Sequence, residues 1–351
     1  MVRPSDIGGV VLDLDWERSI DITLPLVKSC EKIKLNNKIL DVLNLTYGEM
    51  ILLGDLHIGH SKHSINPLKA YLQYLLQHPY IQVGLMGDYI ECAETTTFVK
   101  EESFDVDAQI TDFVRMMRPF KDRIRFMLWG NHEERLARAT KSNRFLLSIA
   151  NEIGVGDHCY IGEPQDGATC WVKAGDKTYT MDARHGRSGA IYNDFIQQKK
   201  TASNTNAAVI AQGHTHKLGF AQITERNMEE TMNQLGTVTR RRFFVNTGCF
   251  LKDPGYGNSR SYPLTNVGAP IIRFYASTSK IEVRDLGQDY KDDLTKGGLA
   301  FEGFDYNLDS DKFWESAGVH GPKELDRLPP CLPPQQSKGV VGMGKGKRFF
   351  S

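Results

Sequence analysis

A series of short apolar runs, each followed closely by a glycine, constrains this chain more than any other feature. The runs are Met50–Leu53, Ile81–Met86, Ile124–Trp129 and Ala207–Ala211. Uninterrupted apolar runs of this length, stopped by a turn signal, are typical of buried strands. Amphipathic helical patterns accompany them at Pro67–Gln77, Val106–Met117, Asn143–Ile153 and Ala190–Lys200. The alternation of strand and helix predicts a layered α/β domain.

The residues that follow those glycines share one kind of chemistry. They form the segments Gly54-Asp55-Leu56-His57, Gly87-Asp88, Gly130-Asn131-His132 and Gly213-His214-Thr215-His216, and a fifth segment, Ala183-Arg184-His185-Gly186, ends a β-type run. Aspartate, asparagine and histidine together offer the oxygen and nitrogen ligands that Mn²⁺, Fe or Zn²⁺ accept. Because ligands at the carboxyl ends of neighbouring strands converge on one crevice, the sequence predicts a metal site there.

The spacing of these residues indicates how ions could be shared. Asp55 and His57 stand two residues apart, on one side of an extended segment, so both can bind the same ion. Asp88 carries a carboxylate, whose two oxygens can hold two cations together. Taken singly, each residue is equally well explained as an ordinary turn residue after glycine. The combination favours the metal site.

The order and context of these segments resemble the calcineurin-like metallophosphoesterase superfamily, whose pattern runs D-x-H, GD, GNH, H and GHxH. The resemblance spans Gly54 to His216, and the strand-like segments up to about Leu286 are compatible with it. It implies a layered α/β/β/α sandwich with two mixed sheets. We expect this domain to occupy residues 48–288, with residues 1–47 as an N-terminal extension packed on the core. Residues 289–351 are predicted to be an irregular tail, because they are charged, rich in Gly and Pro and poorly periodic.

The resemblance also implies roles for individual residues. Seven side chains would bind two divalent cations: Asp55, His57 and His216 the first, Asn131, His185 and His214 the second, with Asp88 as the bridge. His132 matches the histidine that acts near the leaving-group oxygen. Glu91 stands where many members have an aspartate that orients that histidine. For Arg187 and His60 two interpretations stay open, a contact to the substrate or an ordinary surface or loop position.

The activity implied is hydrolysis of a phosphate ester by a metal-bound hydroxide, in which two cations lower the pKa of a shared water. Serine/threonine protein phosphatases continue the second segment as GDxVDRG, whereas this chain continues Gly87-Asp88 with Tyr-Ile-Glu-Cys-Ala. The absence of the Asp-Arg-Gly sequence after Gly87-Asp88 favours a phosphodiesterase or nuclease-like enzyme over a protein phosphatase. The alternatives are a phosphomonoesterase and a non-catalytic metal-binding interaction protein of the same fold.

The charge and cysteine content of the chain indicate which partners and which compartment to expect. Lys+Arg and Asp+Glu number 43 each, so no net field draws the chain to nucleic acid or an anionic membrane. A nucleic-acid substrate stays open, because a local basic groove can exist at zero net charge. Residues 1–19 carry acidic groups where a secretory segment would be apolar. Six scattered cysteines without a CxxC pair predict free thiols in a reducing compartment, and we expect a cytoplasmic protein.

Overall fold

The computed structural model describes residues 19–35, 38–92, 105–187, 195–231, 234–251 and 267–286. The strands are β1 (Ile20–Thr23), β2 (Val27–Leu35), β3 (Lys38–Leu53), β4 (Gln82–Leu85), β5 (Ile124–Met127), β6 (Tyr160–Ile161), β7 (Ala168–Ala174), β8 (Lys177–Arg184), β9 (Val209–Gln212), β10 (Leu218–Thr231), β11 (Gln234–Thr247), β12 (Pro270–Tyr275) and β13 (Ile281–Asp285). The helices are α1 (Ile65–Gln77), α2 (Val106–Met117), α3 (Asn131–Thr140), α4 (Phe145–Ile153) and α5 (Ile196–Ala202), with a 3₁₀ turn at Arg118–Arg123.

Within the described ranges these strands form two mixed sheets. The first sheet has the order β13-β12-β3-β4-β5-β6, with β2 paired to β3. Strands β3, β4, β5 and β6 run parallel, and β12 joins β3 antiparallel. The second sheet has the order β1-β7-β8-β9-β11-β10, in which β8, β9 and β11 run parallel. Each sheet therefore brings the carboxyl ends of several neighbouring strands to one edge.

The alternation of side chains along β3 explains the layering. Met50 and Leu52 pack into the core between the two sheets, whereas Ile51 and Leu53 pack into the core beneath the helices. Successive side chains of a strand point to opposite faces, so a run that is apolar at every position must be covered on both sides. Helices α1, α2 and α4 cover the first sheet, and Phe244 lies in a small core with residues around α5 on the outer face of the second. The α/β/β/α sandwich is confirmed.

The buried strands predicted from apolar runs are present, and α1, α2 and α4 lie at or near their predicted positions. Helix α3 was not predicted, because its first residues were interpreted only as a ligand loop. The helix predicted at Ala190–Lys200 starts at Ile196 in the structure, and residues 188–194 lie outside the described ranges.

The predicted boundary at residue 47 falls inside β3, and β1 pairs with β7 in the second sheet. Residues from the proposed extension thus belong to both sheets. The division into extension, domain and tail itself stays a prediction, and residues 1–18 and 287–351 lie outside the described ranges. In the described part of the chain, every helix is too short or too polar to cross a membrane.

Candidate metal centre

The residues after the glycines meet where the two sheets face each other. Asp55 and His57 follow β3, Asp88 follows β4, and Asn131 follows β5, all at the carboxyl edge of the first sheet. From the second sheet, His185 follows β8, and His214 and His216 follow β9. The two sides are joined directly, since the His214 N–H donates to the Asp55 carboxylate at 2.9 Å. The structure thus brings all seven predicted ligands together.

Five of those seven residues have left-handed backbones. The φ angles are 50° at Asp55, 49° at His57, 51° at Asp88, 67° at His214 and 56° at His216. Such a conformation costs about 1 kcal/mol or more for a residue with a side chain, although Asp and His tolerate it better than most. Strain concentrated at one point, and kept by the surrounding fold, is characteristic of functional sites.

The predicted first-metal ligands form a tight group of Lewis bases. His57 Nε2 lies 3.1 Å from His216 Nε2, and His216 Nε2 lies 3.3 Å from Asp55 Oδ1. One donor atom from each of these residues falls within 4.8 Å of the others. Asp88 Oδ2 lies 3.9 Å from His57 Nε2, so this carboxylate borders the group.

The predicted second-metal ligands form an adjoining group. His185 Nε2 lies 3.3 Å from Asp88 Oδ2 and 3.1 Å from Asn131 Oδ1. Donor atoms of Asp88, His185 and His214 also lie within 4.8 Å of one another. The Asp88 carboxylate therefore borders both groups.

The amide oxygen of Asn131 faces the ligand cluster, and the amide nitrogen faces Nη2 of Arg135. The oxygen lies 3.2 Å from Asp88 Oδ2 and 2.6 Å from His214 Nδ1, both of them acceptor atoms. Without a cation, turning the amide would let its nitrogen donate to these atoms instead. A divalent ion among the same atoms would make the oxygen-inward orientation favourable, because amide oxygens are ligands of hard cations.

The pKa values of the buried ligands are also suited to binding a cation. Burial alone would lower the pKa of His185, but Asp88 and Asp55 raise it to about 10. Burial would raise the pKa of Asp88, yet the imidazoles of His185 and His132 hold it well below its usual range. Burial and the neighbouring His216 lower the pKa of His57 to about 3. The pocket thus contains an ionised carboxylate and a neutral imidazole, and a metal ion would displace the compensating proton on His185.

His132 lies beside Asp88 with one ring nitrogen fixed. Its main-chain N–H donates to Asp88 Oδ1 at 2.9 Å, and Nδ1 donates to the main-chain carbonyl of Glu91. Nε2 is left facing the centre, 3.9 Å from Asp88 Oδ2. Donor atoms of His57, Asp88 and His132 also lie within 4.8 Å of one another, so His132 as a fifth imidazole ligand is an alternative to its predicted role.

The side chain of Glu91 contacts a different histidine from the one predicted. Its carboxylate hydrogen-bonds His57 Nδ1 at 2.9 Å and lies 3.9 Å from His132 Nδ1. The hydrogen bond directs His57 Nε2 towards the predicted first metal, as outer carboxylates do for metal-binding histidines. The carbonyl of Glu91 orients His132, so this one residue positions both rings.

Glu133 has a structural role that the sequence did not predict. This buried carboxylate accepts main-chain hydrogen bonds from Asp88 at 2.9 Å, Tyr89 at 2.7 Å and Gly130 at 2.9 Å. It ties the loop that carries Asp88 to the loop that carries Asn131. A carboxylate directly after Asn-His was the available signal, but its partners depend on tertiary contacts.

Arg187 and His60 lie outside the ligand cluster. The Arg187 guanidinium donates to both oxygens of Glu134, at 2.8 and 2.6 Å, and its side chain is half exposed. His60 is only 5% exposed, which does not fit a solvated loop residue; its Nδ1 accepts from the Lys62 N–H at 2.9 Å. Whether either residue contacts substrate stays a prediction.

Replacing Gly87 with alanine is expected to loosen the centre. Gly87 has φ +93°, and a Cβ there would lie 2.5 Å from the main-chain nitrogen of Gly130. The backbone strain and the clash between the two ligand loops together predict a loss of about 2–4 kcal/mol of stability. Urea unfolding measures the loss, and metal content is expected to fall with it.

Gly154→Ala is the matched control, because Gly154 has φ +83° but a Cβ would meet only Lys121 Cδ, at 3.8 Å. This variant should lose only the part of the stability that comes from backbone strain at positive φ, about 1 kcal/mol. Equal losses of stability in Gly87→Ala and Gly154→Ala would show that the close approach of the two ligand loops does not contribute to stability.

Residues 50–218 match the family model of calcineurin-like phosphoesterases. No curated protein matches the chain significantly in sequence. Among solved structures, a metallophosphoesterase from Sphaerobacter thermophilus is 13% identical, with 77% of this chain and 99% of that chain covered and a TM-score of 0.32. Vacuolar Protein Sorting 29 from Cryptosporidium parvum is 15% identical, with 68% and 96% covered and a TM-score of 0.33.

Proposed function

We propose that the chain is a two-metal-dependent enzyme that hydrolyses a phosphodiester, as the match of residues 50–218 to the family model of calcineurin-like phosphoesterases supports. The observation that carries the proposal is the position of Asp88, whose carboxylate borders both groups of Lewis bases. The donor set of imidazoles, carboxylates and one amide suits Mn²⁺, with Fe or Zn²⁺ as alternatives. When bound, such a pair of cations lowers the pKa of a water molecule and neutralises phosphate oxygens.

The chain's own residues supply the remaining steps. With its Nδ1–H donated to the Glu91 carbonyl, His132 in its imidazolium form carries a second proton on Nε2, which it can give to the leaving oxygen and so become neutral. Glu91 and Glu133 keep His57 and the Asp88 loop in place. No side chain is needed as a covalent nucleophile.

A phosphodiester is favoured over a phosphomonoester by the charge near the centre. The arginine of the GDxVDRG pattern has no counterpart after Asp88. Counted from Gly87-Asp88, the position of that arginine is taken by Cys92, which is buried and uncharged. Loss of a positive charge at this position weakens binding of a monoester dianion more than that of a diester monoanion. The free thiols of Cys92, Cys159, Cys170 and Cys249 support a reducing compartment, and we place the enzyme in the cytoplasm.

We expect the purified chain to hydrolyse bis(p-nitrophenyl) phosphate in the presence of Mn²⁺. Excess EDTA should abolish the activity and re-addition of Mn²⁺ should restore it, because Asp88 and the histidines then regain their ions. The rate on p-nitrophenyl phosphate should be lower by about tenfold, which corresponds to about 1.4 kcal/mol.

Three results would reject parts of the proposal. Activity that survives EDTA would rule out the metal-dependent mechanism. Faster hydrolysis of the monoester would make the chain a phosphomonoesterase. A folded, fully metal-loaded sample that is inert towards both esters and towards oligonucleotides would favour a non-catalytic metal-binding protein.

A further inference from the structure

A buried carboxylate holds two arginines at the edge of the metal centre. Glu134 is on α3, and its side chain is 6% exposed. It accepts hydrogen bonds from Arg187 at 2.8 and 2.6 Å and from Arg138 at 2.8 Å. The Arg187 side chain is 51% exposed and that of Arg138 is 69% exposed. Each guanidinium has five N–H donors, so both retain outward donors for another oxyanion.

The geometry of α3 aligns these groups with the centre. Asn131, Arg135 and Arg138 are spaced four and three residues apart, which puts them on one face of the helix. At 1.5 Å of rise per residue, Arg138 lies about 10 Å along the helix from Asn131. Arg187 stands two residues after His185 in sequence. The arginines thus continue from the predicted second-metal ligands along one side of the pocket.

The charge of this edge differs from that of the centre. Three arginines, Arg135, Arg138 and Arg187, lie at this edge, and the Glu134 carboxylate pairs with the last two of them. No carboxylate among the described residues forms an ion pair with Arg135, whose guanidinium lies against the Asn131 amide. The edge is locally positive in a chain with no net charge. It therefore favours an anion that extends beyond the phosphate at the metals.

We propose that Arg138 and Arg187, positioned by Glu134, bind a phosphate of a nucleic-acid strand next to the scissile phosphate. This rests on the proposed phosphodiesterase function and names its substrate class. A strand of regularly spaced phosphodiesters that runs along α3 would place one phosphate at Asn131 and a later one between the two guanidiniums. Arginine suits this contact because its planar fork binds phosphate oxygens in pairs.

The test is the affinity for a fluorescein-labelled single-stranded oligonucleotide, followed by anisotropy in EDTA so that no turnover occurs. The double variant Arg138→Ala/Arg187→Ala is expected to bind at least about tenfold more weakly than wild type. The slope of log K against log salt should fall in magnitude by about 0.7, from the loss of one phosphate contact on a single strand. The Lys/Lys double variant should recover most of the salt slope but only part of the affinity.

The matched control is Arg115→Ala/Arg118→Ala, which removes the same charge. These residues precede the amino end of β5, at the opposite edge of the sheet from the ligands. The control should bind like wild type. Equal weakening in both double variants, unchanged affinity in the Arg138/Arg187 variant, or no binding by wild type would each overturn the subsite.

The outcome is separate from that of the proposed function. Arginine-dependent binding by a chain that fails to hydrolyse bis(p-nitrophenyl) phosphate would reject the enzyme and retain an anion site. Mn²⁺-dependent hydrolysis with arginine-independent binding would retain the enzyme and reject the subsite.

Discussion

Replacing Asp88 with asparagine is expected to lower kcat/KM for Mn²⁺-dependent phosphodiester hydrolysis by about a thousandfold, or about 4 kcal/mol of transition-state stabilisation. Asp88 Oδ2 lies 3.3 Å from His185 Nε2 and 3.9 Å from His57 Nε2, so the carboxylate borders both predicted metals. An amide has no charge and only one oxygen, and it cannot join two cations. Metal content, measured by mass spectrometry, should fall below that of wild type.

The asparagine variant should still fold, because its Oδ1 can accept the His132 N–H as Asp88 Oδ1 does at 2.9 Å. Asp182→Asn provides a matched control, since Asp182 is also fully buried but pairs with Arg184 at 2.7 Å on β8. That control should keep both metal and activity. Wild-type metal content and turnover in Asp88→Asn would remove the basis of the two-metal site.

The strands and the cluster of ligands were predictable because their signals are local. An apolar run that stops at Gly54 or Gly87 indicates a buried strand and a turn, and the next side chain must then lie at the carboxyl edge of a sheet. The order of the five segments along the chain supplied the resemblance to calcineurin-like phosphoesterases and, through it, the assignment of ligands to each metal. The left-handed backbones at Asp55 and His214 were not foreseeable, because only the packed loops impose them.

The features that escaped prediction depend on distances between distant segments. Glu91 was expected to orient His132, yet its carboxylate hydrogen-bonds His57, and the hydrogen bond to His132 comes from its main-chain carbonyl. Which atom reaches which ring is decided by the packing of the loop after β4. Helix α3 was overlooked because Asn131 both follows the β5 strand as a ligand and begins the helix. The segment at Asn131 was assigned from the sequence to a ligand loop, and the same residue was therefore not considered as the start of a helix.

His132→Ala is expected to retain both metals and to lose catalysis in proportion to the basicity of the leaving group. His132 Nε2 faces the centre while Nδ1 is held by the Glu91 carbonyl, a geometry suited to protonating the departing oxygen. General acids of this kind contribute about 10²–10⁴-fold. A nitrophenolate leaves without a proton, whereas the alkoxide of an oligonucleotide needs one. Cleavage of an oligonucleotide should therefore fall by about 10³-fold and hydrolysis of bis(p-nitrophenyl) phosphate by much less.

The same experiment separates the two roles open to this histidine, because a ligand and an acid fail in different ways. If His132 were a metal ligand, its removal would lower metal content and slow both substrates to the same extent. His158→Ala is the control, since His158 is exposed and hydrogen-bonds the Lys121 carbonyl at 3.1 Å. It should match wild type on both substrates. Equal losses on the two substrates with reduced metal in His132→Ala would therefore assign His132 to the metals and leave the departing oxygen without a proton donor from this residue.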